Sequence, residues 1–90
     1  MTGSNKFQNW RAVGFTSQGT QHLLCFGNDI DEVKRFMKIS FFEHLTDEER
    51  PTIKKVELQR WKGNTGKYGK WEGKGNLPLP KPDEAPLVPV

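Results

Sequence analysis

The residue types best suited to chemistry lie between Arg60 and Asn76, in the run RWKGNTGKYGKWEGKGN, where Gly-Lys steps recur at 66/67, 69/70 and 73/74 among Trp61, Tyr68 and Trp71. Basic side chains neutralise phosphates, aromatic planes stack on bases and glycine permits close backbone approach, a combination suited to single-stranded nucleic acid. Arg60, Trp61, Lys62, Lys67, Tyr68, Lys70, Trp71 and Lys74 are the residues expected to make such contacts. A purely structural reading competes with this one. In it the run is a surface hairpin whose aromatic rings clamp glycine turns onto a sheet, and the lysines only keep it soluble.

The formal charge is a modest +3, so the distribution of charge is more informative than the total. Arg50 to Lys74 holds eight basic and two acidic residues, whereas Asp29 to Glu49 holds seven acidic and three basic ones. This polarity favours an anionic partner, with nucleic acid the leading class.

Other chemistries lack their residue sets. Gly63 to Lys67 is too short for a Walker A loop, which needs four residues between its glycines, Ser or Thr after the lysine, and a following helix. The bare Gly63-x-x-Gly66 spacing of a KH clamp is expected here to follow a strand rather than join helices. His22 and Cys25 are three apart on an expected strand and so point to opposite faces. His44 falls on the apolar arc of the expected helix, which makes it a partly buried core residue rather than a base. Asp29, Asp31 and Glu32 lack the later ligands of a calcium loop and are explained by helix capping. Cys25, the only cysteine, excludes an internal disulfide and lies in the apolar run HLLCF, as a buried small hydrophobe would. The expectation is a non-enzymatic module with no metal, cofactor or small-molecule substrate.

No apolar run approaches the roughly 18 residues of a membrane span, and the N-terminus lacks the order of a signal peptide. The expected compartment is the cytoplasm, without membrane association.

One long helix must organise the fold. From Asn28 to Leu45, at about 100° per residue, Phe36, Ser40, Val33, His44, Met37, Ile30 and Phe41 share one arc with Leu45 at its edge. Asp29 with Glu32 makes a D-x-x-E start, and Thr46 with Glu49 repeats the pattern before Pro51, predicting one further helical turn. Ile39 and Phe42 project away from the arc, so they require a covering tail or a partner. They are the candidate protein-interaction residues, including for a homodimer.

Strands flank the helix. Phe7 to Thr16 alternates Arg11, Val13 and Phe15 against Trp10, Ala12 and Gly14, and Thr20 to Phe26 follows as its hairpin partner. There, alternation sets Gln21, Leu23 and Cys25 against His22, Leu24 and Phe26. If the face away from the helix is uncovered, Trp10, His22 and Leu24 are expected to contribute an exposed apolar patch. Thr52 to Trp61 is a third strand, bulged near Ile53 to Lys55 so that Ile53 reaches the core, and Lys67 to Glu72 is a ragged fourth.

The predicted class is therefore α+β: a small antiparallel sheet of three to four strands, one long helix packed on one face, order β-β-α-β with a further β. A chain this size buries only about 60% of its unfolded surface, so its aromatics must carry much of the core. Residues 1–5 are expected to be flexible, 6–75 to form a single domain, and 76–90 to be a disordered proline-rich tail. Within that tail Pro86 to Pro89 is one P-x-x-P element, a second feature that a protein partner could use.

Overall fold

The computed structural model describes residues 8–63 and 68–81. Aromatic and alternating residues near the N-terminus form β1 (Trp10–Thr16) and β2 (Gln21–Gly27). The Thr16 hydroxyl closes their turn by accepting from the backbone N–H groups of Gln18 and Thr20 at 3.3 and 3.1 Å. Helix α1 (Ile30–Glu43) follows, then a short 3₁₀ turn (Arg50–Thr52), β3 (Ile53–Gly63) and β4 (Gly69–Leu77). The strands lie in the order β2-β1-β3-β4, and each neighbouring pair is antiparallel. The described residues thus form a small α+β fold with one four-stranded sheet and one α-helix.

The start of α1 is fixed by its own sequence. Asp29 accepts from the Glu32 N–H at 2.8 Å while the Glu32 carboxylate accepts from the Asn28 N–H at 2.9 Å, satisfying two early donors. Gly27 lets β2 pass close beneath this turn, since a Cβ there would meet Val33 Cγ2 at 2.7 Å. Thr46 and Glu49 form the second, fully reciprocal capping box, at 2.9 and 3.1 Å, ahead of the 3₁₀ turn.

Val33, Met37, Ser40 and Phe41 are the buried residues of α1. The apolar ones join Ala12, Leu24, Leu45, Ile53, Val56, Leu58 and Leu77 in one core. Three members of the expected arc lie outside it. Ile30 opens the helix and His44 follows its last turn, so each overhangs an end, and both are exposed. Phe36, at the flank of the stripe, is 37% exposed.

Three register shifts interrupt the sheet, and two of them set which residues of β2 and β3 reach this core. The register of β1 with β3 shifts opposite Lys54, and Ile53 is thereby turned inward, as expected. The register of β1 with β2 shifts between Ala12 and Val13, leaving Leu24 as an extra residue on β2. Leu24 enters the core, and Phe26 pairs with Arg11 on the other side of the sheet. The patch expected from Trp10, His22 and Leu24 is replaced accordingly. Trp10 packs against the core, and the exposed apolar residues of β2 are Leu23 and Phe26.

The sheet also continues into the segment expected to be tail. Asn76 and Leu77 belong to β4, Leu77 is a core residue, and Pro80 is buried. Residues 82–90, with Pro86 and Pro89, lie outside the described residues.

The end of α1 depends on a residue outside the helix. Its last turn contains no basic side chain, and Arg50 supplies one from the 3₁₀ turn. Arg50 Nη1 donates to the carbonyls of Leu45 at 2.6 Å, Phe42 at 2.9 Å and Phe41 at 3.4 Å, and Nη2 pairs with Asp47. Positive charge and donors here satisfy the terminal carbonyls and oppose the helix dipole. Arg50→Met keeps the stem and removes the donors, so it is expected to cost about 2–3 kcal/mol, read as a lower urea midpoint at unchanged slope. A loss below about 0.5 kcal/mol would show that water satisfies these carbonyls equally well.

Candidate nucleic-acid interface

The basic aromatic run forms the distal half of the β3–β4 ribbon. Its register pairs Arg60 with Glu72, Trp61 with Trp71, Lys62 with Lys70 and Gly63 with Gly69. Directly opposed residues share a face and successive residues alternate. Trp61 and Trp71 therefore occupy one side of the ribbon, and Arg60, Lys62, Lys70 and Glu72 the other. The expected site residues are together on one ribbon but divided between its two faces. Tyr68, near the tip, is 73% exposed, and Lys67 lies outside the described residues.

On the basic side Glu72 stands between two lysines, 3.8 Å from Lys62 Nζ and 3.5 Å from Lys74 Nζ. Arg60 lies over the Trp10 ring at 5.2 Å. With Lys70 exposed beside them, one carboxylate faces four cations, which leaves this side of the ribbon positive.

The aromatic side is the sheet face away from α1. Ala12 and Leu58 are a cross-strand pair in the core under the helix, so Arg11 and Gln59, the next pair, point the opposite way. Trp61, two residues beyond Gln59, and Phe26, paired with Arg11, join them. Phe26 and Trp71 sit on the two outer strands, whose backbones are separated by three spacings of about 4.8 Å. Their rings nevertheless meet with centroids 5.8 Å apart, so the two side chains reach inward across β1 and β3. Trp61 meets Trp71 at 5.4 Å and 65°, an edge-on contact. The Arg11 guanidinium stacks on Trp71 at 4.3 Å.

Polar groups beneath these rings are ordered as a chain. Arg11 Nε donates to Gln59 Oε1 at 2.7 Å, and Gln59 Nε2 donates to Glu57 Oε1 at 2.7 Å. Gln59 is buried, and burial pulls the Arg11 pKa below the ordinary arginine value.

The structural reading of the run also has support. Gly69 adopts φ 153°, and a Cβ there would lie 2.4 Å from the Lys62 carbonyl and 2.8 Å from the Trp61 ring. Trp61 thus covers a glycine that closes the ribbon, while Trp71 and Phe26 face outward around Arg11. Arg11 and Phe26 are the residues that the sequence did not mark. Arg11 is distant in sequence from the basic run, and Phe26 changes face only because of the β2 bulge.

The expected partner residues of the helix separate. Ile39 is 38% exposed. Phe42 is half-buried, meets Phe41 edge-on at 5.4 Å, and lines a groove with Leu79 and Pro80. Among the described residues, the other titratable side chains show no grouping around Cys25 or His22 beyond the contacts that follow. Cys25 Sγ donates to the Val33 carbonyl at 3.5 Å, and burial pushes its thiol up to about 11, away from thiolate reactivity. His22 Nδ1 lies 3.9 Å from Glu49. Among the described residues no three His, Cys, Asp or Glu side chains are grouped to hold a metal ion, and no helix is long and apolar enough to cross a membrane. No family model, curated protein or solved structure matches the chain, so the site stands on its own geometry.

Proposed function

We propose that the protein is a non-enzymatic module that binds single-stranded nucleic acid, with bases on the helix-free sheet face and backbone phosphates on the basic side of the β3–β4 ribbon. The observation that carries this reading is the cluster of Phe26, Trp71 and Trp61 around Arg11 on the face that α1 leaves open. β4 is an outer strand. A strand of nucleic acid crossing its edge meets rings on one side and Lys62, Lys70 and Lys74 on the other. Unpaired bases can reach such rings, whereas bases stacked inside a duplex cannot. The alternative, a protein partner or a second copy, draws on the exposed Phe36 and Ile39 of α1 and Leu23 of β2.

Anisotropy titrations with random-sequence single strands and duplexes of equal length, at several salt concentrations, test the proposal. Single strands are expected to bind more tightly. Engagement of four cations gives a log–log salt slope of about −3. Absence of single-strand binding at low salt would remove this reading in favour of the protein-partner one.

A further inference from the structure

Arg11 is a cation held in place without a direct counter-charge. Its guanidinium is stacked on Trp71 at 4.3 Å, beside the meeting point of Trp71 and Phe26. Its Nε is committed to Gln59, and Gln59 is oriented in turn by Glu57. Among the described residues no carboxylate forms an ion pair with Arg11, and its two Nη groups make no hydrogen bond. Arg11 is a half-buried residue, and burial lowers the pKa of its guanidinium, so its charge is partly desolvated. A planar fork of donors, fixed by a stack on one side and a hydrogen bond at its base, is preorganised for two oxygens of one oxyanion.

We propose that Arg11 is the phosphate anchor of the helix-free face, its Nη groups holding the non-bridging oxygens of one phosphodiester while a neighbouring base stacks on the Phe26–Trp71–Trp61 cluster. This rests on the nucleic-acid reading above and adds to it a phosphate contact on the aromatic side, separate from the lysines. Gln59 is a positioning residue that sets the direction of the fork. Glu57 acts one bond further away, fixing the Gln59 amide so that its oxygen faces Arg11.

The test uses the full chain and a labelled oligothymidylate of about 12 nucleotides, titrated at several salt concentrations against wild type, Arg11→Lys and Arg11→Met, with urea unfolding of each protein. Arg11→Met is expected to bind at least tenfold more weakly, with a salt slope smaller in magnitude by about 0.7, the share of one phosphate on a single strand. Arg11→Lys keeps the charge but not the fork. It is expected to retain the wild-type slope and still lose at least fivefold in affinity. If wild type binds while Arg11→Met keeps both affinity and slope, the anchor is overturned and the wider reading survives. If Arg11→Met does not fold, Arg11→Lys decides, and wild-type affinity in that variant overturns the anchor. If wild type itself does not bind, both proposals fall.

Discussion

Phe41→Ala is expected to destabilise the protein by about 3–5 kcal/mol. Phe41 is 6% exposed and belongs to the one core cluster, together with Val33 and Met37 of the helix and Ile53, Val56 and Leu77 of the sheet. Truncation removes a ring with its edge-on contact to Phe42 and leaves a cavity that a fold of this size cannot readily close. A domain this small has total stability near the lower end of about 5–15 kcal/mol. The variant should therefore be partly unfolded at 25 °C, and circular dichroism with urea should show little or no native baseline. A loss below about 1 kcal/mol would mean that Phe42, Leu79 and Pro80, which line the adjoining groove, move in to fill the space.

Trp71→Ala should have the largest effect on binding. Trp71 contacts Arg11, Phe26 and Trp61 and is the one ring shared by all of them. Its removal deletes a stacking surface worth about 1–3 kcal/mol per base and leaves the Arg11 guanidinium without its stacking partner. The expected result is single-strand affinity reduced at least tenfold. The two ring pairs and the cation–π contact are worth about 0.5–1.5 kcal/mol each, so stability should also fall, by about 1.5–4.5 kcal/mol. Trp71→Phe should recover part of both. A loss of stability with unchanged affinity would show that the cluster only packs the sheet, and would leave nucleic-acid binding without its main support.

The parts of this fold legible in the sequence are those written in local chemistry. Asp29 with Glu32 and Thr46 with Glu49 announce their turns through side chains that bond within three or four residues. The alternation of Arg11, Val13 and Phe15 against Trp10, Ala12 and Gly14 survives because the extra residues at both of β1's register shifts lie on its partner strands. Phe36 is a harder case. A helical projection gives an arc, but which flank of that arc meets the sheet depends on the docking of α1 over β2 and β1. The site was half legible for a similar reason. Trp61, Trp71 and the lysines are neighbours in sequence, so their common ribbon could be foreseen. Arg11 and Phe26 come to Trp71 only through the strand order β2-β1-β3-β4 and one extra residue in β2, neither of which is encoded in spacing.

That extra residue also bears on how the outer edge of β2 meets an incoming strand. β2 forms an outer edge of the sheet, and its sequence QHLLCFG contains no lysine, arginine, acidic residue or proline to discourage another strand from adding to it. Unbroken apolar edges of this kind template intermolecular pairing. The displaced Leu24 interrupts the regular spacing of strand residues and increases local twist, so an incoming strand cannot run flush along the whole edge. The same irregularity that aims Phe26 at Trp71 is thus expected to discourage strand addition along this edge.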